Sequence, residues 1–204
     1  MLSPQHRQSG FVMIIALIAL AIMSIAAIGL MRTTSSSASI AGNLAFEQAA
    51  ATSADQAVEA AVTWLENNSG QTSSSTASTC STGTSVLACD QTSHGYAATR
   101  TDPSSTQSWS QLWTQLVAAG YTAIQLSQDS SGNTAAYLIQ RMCASAGDAS
   151  SSNGCSSSPM AANTGSSKKS GSTQSSSSQV YYRITVKVSG PRNTVSFTQA
   201  MVAL

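Results

Sequence analysis

A chain of 204 residues has room for about one domain plus an appendage, and this one carries only 8% charged residues and a net charge of +1. That balance excludes a basic field for nucleic acid and an acidic tail for a cationic partner. Hydrophobic residues reach 42%, but many lie near the N-terminus or are alanine. The soluble part therefore has a modest core that calls for disulfides or partners.

Residues 1–10 are polar and weakly basic, with His6 and Arg7, and they end on Gly10. Residues 11–31 then hold 21 positions without a charge, broken only by Ser24 and Gly29. As a helix this run crosses the ~30 Å of a bilayer core. It exceeds the roughly 7–15 apolar residues of a simple secretory signal. A cleavable signal stays open as an alternative, because "SIAAIG" (24–29) has the small residues that signal peptidase prefers. His6 and Arg7 before the run and Arg32 after it give a lean toward a cytoplasmic N-terminus.

After Arg32 comes a polar patch, "TTSSSASIAGN" (33–43), and then the strongly helical "LAFEQAAATSADQAVEAAVTWLE" (44–66). Ala50, Ala54, Ala57, Val58, Ala61, Trp64 and Leu65 recur at three- and four-residue steps and form an apolar stripe. Asn67, Asn68 and Gly70 supply the chemistry that ends a helix. If the patch is helical too, residues 11–66 form one rod of about 80 Å, with Gly29 and Gly42-Asn43 as its weak points. The alternative is two helices joined by a loop at 33–43.

Four cysteines follow, Cys80, Cys89, Cys143 and Cys155, in turn-rich sequence. Three connectivities are open; local pairing, Cys80–Cys89 and Cys143–Cys155, would staple two short loops. A zinc site is the rival, but no C-x-x-C occurs, and only His6 and His94 are available. Disulfides imply an oxidising compartment.

Within "SWSQLWTQLVAAG" (108–120), Trp109, Leu112, Trp113, Leu116 and Val117 fall on one helical face. Ser104, Thr106 or Ser108 is the expected cap and Gly120 the terminator. The two tryptophans are either core or a carbohydrate or partner platform. A strand is expected over 134–142. A second follows over 180–188, with Val180, Tyr182, Ile184, Val186 and Val188 on one face and Tyr181, Arg183, Thr185 and Lys187 on the other. "SGPRN" (189–193) makes a turn, and Val195, Phe197, Met201 and Ala203 mark a last strand. Antiparallel strands laid on the alanine stripe explain why that stripe is small.

The Ser-rich segments 69–85 and 145–179 lack large apolar groups and are expected to stay loops or disordered. They are either adhesive or docking loops or tolerated insertions, and Lys168-Lys169 within the second is a solubilising spot. Catalysis has little support. There is no P-loop, no G-x-S-x-G and no H-E-x-x-H beside His94, and "DSSGN" (129–133) lacks the spaced acids of a calcium loop. No enzyme and no cofactor are expected.

A short basic leader ending in Gly10, aromatic Phe11, about twenty apolar residues and an amphipathic continuation together resemble a type IV prepilin. The stretch "LMRTTSSSASIAGNLAFEQAAATSADQAVEAA" is similar to the N-terminal signature of PilX-type minor pilins. "AAYLIQRM" (135–142) and "YYRITVKVSGPRNTVSFTQAMVAL" (181–204) resemble that family's closing strands. The likeness covers roughly residues 5–66, 109–142 and 180–204 and leaves the Ser-rich inserts unmatched.

The resemblance implies an α+β type IV pilin fold, a long N-terminal helix packed against a C-terminal antiparallel sheet. It divides the chain into a leader (1–10), a membrane or fibre-core half of the helix (11–31), an amphipathic half (32–68) and a globular head (69–204). Prepilin peptidase would cut between Gly10 and Phe11, and Phe11 would be N-methylated. The subunit would be held in the inner membrane, N-terminus cytoplasmic, and then enter the pilus tip. There it would prime assembly and support adhesion and twitching, with other minor pilins, a large tip adhesin and the major pilin as partners. One departure is Ile15, at the fifth mature position, where major pilins place a glutamate. That fits a rare tip subunit better than a repeating one. A type II secretion pseudopilin and a membrane-tethered binding module are the other function classes.

Overall fold

The computed structural model describes residues 9–71, 83–149, 153–158 and 179–204. The chain divides into two compact units, Met1–Gln48 and Ala49–Leu204. One element, helix α1 (Ser9–Asn68), runs through that division without a break.

In the first unit, the loop alternative for 33–43 does not hold, and the weak points at Gly29 and Gly42-Asn43 are helical. The hydroxyls of the polar patch are satisfied within that helix. Thr33 donates to the Gly29 carbonyl at 2.7 Å, Thr34 to Leu30 at 3.1 Å, Ser36 to Arg32 at 3.0 Å and Ser37 to Thr33 at 2.9 Å. Each bonds one turn back along its own helix, so the patch hydrates without competing for the backbone N–H groups.

The second unit is built on the later part of α1. Ala54, Ala57, Ala61 and Leu65 are fully buried, and Ala50, Val58 and Trp64 pack beside them, as the stripe predicts. Beyond Asn68, the Ser69 N–H reaches back to the Leu65 carbonyl at 2.8 Å, and Gly70 takes a left-handed φ of 74°. A side chain at Gly70 would strain that stop.

Against the stripe lies a sheet of strands β1 (Tyr96–Ala97), β2 (Ile124–Gln125), β3 (Thr134–Arg141), β4 (Tyr181–Ser189) and β5 (Val195–Ala203). β3, β4 and β5 form an antiparallel meander, and β2 joins β3 antiparallel. The expected purely antiparallel sheet needs a correction, because β1 pairs with β3 in parallel. Two-residue strands leave no periodicity in sequence, and the parallel pairing arises through a connection that holds helix α2 (Trp109–Ala118) and β2. The result is an α+β fold compatible with the expected pilin-like architecture.

The sheet is covered on both sides. Tyr137, Ile139, Tyr182, Ile184, Val186 and Val188 meet the alanine stripe. On the other face, helix α2 (Trp109–Ala118) lays Leu112, Trp113 and Leu116 over Leu138, with Phe197 and Ala136 alongside. Ser108 caps α2 in a capping box with Gln111, and Gly120, φ 100°, follows its end. Of the three offered caps, Ser108 is the one used.

This second cover explains why β4 is less alternating in burial than in sequence. Arg183 and Thr185, on the second face of the strand as expected, are buried on the side that α2 covers. Arg183 is satisfied there. Its guanidinium donates to the Asp102 carboxylate at 2.6 Å, the Thr101 carbonyl at 2.5 Å and the Gln140 amide oxygen at 2.5 Å. It also sits 5.2 Å from the centre of the Trp109 ring.

Candidate functional site

Two places carry the residues singled out from sequence. The first is the head of α1. Gly10 and Phe11 lie in its first turn, and residues 1–8 of the expected leader fall outside the described residues. Glycine is among the weakest helix formers, about 1 kcal/mol poorer than alanine, so Gly10 weakens this turn. Phe11 is 71% exposed, and every residue from 11 to 31 is exposed. Ile15 is half exposed on this surface, and its side chain carries no charge. Ser24 hides its hydroxyl on the Leu20 carbonyl at 2.8 Å. A surface of Ile, Leu, Met and Phe over some 30 Å of helix is long and apolar enough to cross a bilayer. Its length and composition are those of a membrane anchor or of a signal sequence.

The second place is the loop after β3. Cys143 and Cys155 form a disulfide, which removes both thiols from any zinc site. Cys89 is also disulfide-bonded, whereas Cys80, and with it the Cys80–Cys89 pairing, lies outside the described residues. Most of 69–85 and 145–179 also lies outside them. The described parts are firmly tied. The Asn153 carbonyl accepts from Ala144 and Ser145, and its side-chain amide donates to the Asp148 carbonyl at 2.7 Å. The Asp148 carboxylate accepts the Thr84 N–H at 2.9 Å, the Ser85 N–H at 3.1 Å and the Thr84 hydroxyl at 3.0 Å. Partial burial pulls this carboxyl up, but the Thr84 and Ser85 donors outweigh it and hold it below the usual carboxylate range.

Arg141, buried at the end of β3, closes the same corner. Its guanidinium donates to the Ala98 carbonyl at 3.1 Å and the Gly147 carbonyl at 2.7 Å. Asp148 carried no local signal, because Thr84 and Ser85 lie more than sixty residues away in sequence, and of the two Arg141 partners Ala98 is 43 residues away. The cysteine spacing was the only sequence hint that this loop is built.

Several other expectations are placed. Trp113 is core, while Trp109 is half-buried beside Arg183. His94 is exposed and stacks on Trp64 at 5.5 Å. In "DSSGN", Asp129 accepts from the Ser53 hydroxyl and from the Ser131 and Asn133 N–H groups at 2.8 Å. Ser53 first and Asn133 next hold its carboxyl below the usual range. The loop is thus a turn closed by its own aspartate. Among the described residues, no three His, Cys, Asp or Glu side chains cluster as a metal site would require.

No protein-family profile, no curated protein and no solved structure matches this chain.

Proposed function

We propose that this chain is a minor pilin of a type IV pilus, of the PilX type. It is cut between Gly10 and Phe11 by prepilin peptidase, N-methylated on Phe11, held in the inner membrane by residues 11–31 and then carried into the fibre tip. Its partners are other minor pilins, a large tip adhesin and the major pilin, and its work is priming assembly and supporting adhesion and twitching. One observation carries the reading: α1 is continuous from Ser9 to Asn68, apolar and exposed at its start, alanine-striped and buried under a sheet at its end. A helix built this way has a use for its apolar part after processing, so the cut belongs before that part. Gly10 stands there.

Ile15 supports the place of a rare subunit in the fibre. A glutamate in the bilayer costs several kcal/mol unless it is paired or protonated. A repeating subunit offsets that by neutralising its neighbour's terminal amine, and Ile15 offers no such exchange. The subunit therefore enters through heterotypic contacts, once or a few times per fibre.

Deleting the protein tests the assignment. Loss of surface pili with normal exoprotein secretion is the expected result. Normal pili with lost secretion would instead assign the chain to a type II secretion machine. Normal behaviour in both would leave a tethered binding module.

A further inference from the structure

β5 is the terminal strand of the sheet among the described residues. Its register with β4 runs one-to-one from Tyr181↔Ala203 to Ser189↔Val195 without a bulge. Val180 and Leu204 exchange both backbone hydrogen bonds, and Gly190 donates to Thr194. In an antiparallel ladder inward and outward residues alternate. Even-numbered residues of β5 thus bond inward to β4. Val195, Phe197, Gln199, Met201 and Ala203 turn their N–H and C=O groups outward.

Edges of this kind are usually blunted by charge, proline or a bulge. β5, "VSFTQAMVA", has none of the three over nine residues. Val195 and Met201 are each more than half exposed. The strand is also self-complementary. Laid antiparallel on a copy of itself about Gln199, it sets Val195 against Ala203, Phe197 against Met201, Ser196 against Val202 and Thr198 against Ala200. Gln199, the polar member of the outward row, meets its own twin. Sliding by two residues sets Gln199 against Phe197 or Met201, where its amide has no partner and the overlap shortens. The Gln199 Nε2 spends one proton on the Thr185 hydroxyl at 3.1 Å. Its second proton and its Oε1 remain for a reciprocal amide pair.

We propose that the β5 edge pairs antiparallel with β5 of a second copy, centred on Gln199 and the partner's Gln199, to make one continuous sheet across the dimer. The inference concerns the head and does not depend on how the N-terminal helix is processed. Such a two-fold axis stands normal to the sheet and sets residues 49–68 of the two copies antiparallel. The test is therefore made on the full chain in detergent solution, where copies are free to take that orientation.

Gln199→Cys under mild oxidation should give a disulfide-linked dimer on a non-reducing gel. Val195→Cys alone should not, because positions 195 of the two copies lie roughly 27 Å apart in this register. Mixing Val195→Cys with Ala203→Cys should restore the link. In light scattering, Met201→Lys should weaken the wild-type dimer about tenfold, since two cross-strand apolar pairs are lost at once. A monomeric wild-type chain with unlinked Gln199→Cys would overturn the proposal and leave the edge to a different strand. Equal linking of Gln199→Cys and Val195→Cys alone would overturn it as well, showing collision without register.

Discussion

Between residues 11 and 31, α1 carries Ile, Leu, Met and Phe side chains that stand exposed, from 50% at Ile15 to 73% at Met31. Between Ala54 and Leu65, the same helix turns mostly alanine inward, and these inward side chains, Ala54, Ala57, Ala61 and Leu65, are fully buried. The more hydrophobic stretch is the uncovered one. Burial follows the partner at hand, not the side chain's own apolarity. The late stretch is small because a sheet must lie close against it. The early stretch is large and apolar and has no cover among the described residues, and on the proposed reading its surroundings are a bilayer and neighbouring helices.

Breaking the boundary before the apolar stretch has the largest expected effect. Replacing Gly10 with a bulky residue should abolish processing on the proposed reading, leaving full-length precursor in the membrane on an immunoblot. Mature-sized protein from that variant would contradict it.

The second effect is on the buried unit. Removing the Cys143–Cys155 link by a double serine substitution should lower the head's unfolding free energy by about 2–4 kcal/mol in denaturant titration. The apolar stretch should not be affected.

A matched pair of substitutions sharpens the comparison more directly. Ala57→Leu should cost about 1–3 kcal/mol, because the fully buried stripe has no room for three more carbons. Ala19→Leu, on the exposed stretch, should leave head stability unchanged.

Much of this division was legible in the sequence. The 11–31 run, the alanine stripe, the capped helix ending before Gly120 and the alternation of Tyr182, Ile184, Val186 and Val188 are each local periodic signals. What was not legible depends on long-range pairing. The alternation in β4 put Arg183 and Thr185 on its second face but could not tell that α2 covers that face. The parallel β1 is too short to show a period. The Asp148 bonds to Thr84 and Ser85 join two segments whose Ser-rich composition pointed to disorder. The Thr/Ser run of 33–37 left helix and loop both open, and the choice shows only where each hydroxyl bonds back to its own helix.

The smallest expected effect is on pH dependence, again confined to the head. The folded state holds the Asp129 and Asp148 carboxyls below their ordinary values. Their contribution is present above the unfolded carboxyl value of about 3.9 and is lost as pH falls through the lower folded values. Thermal unfolding should show a falling midpoint below about pH 4. Asp148→Asn should flatten part of that acid limb.

The central claim is that the apolar stretch is kept and its cut precedes it. Mass spectrometry of the N-terminal peptide from membrane-extracted protein tests it most directly. The account predicts a chain beginning at Phe11 with a methylated amine. A chain beginning within or after residues 24–32, or one retaining residues 1–10, would contradict it.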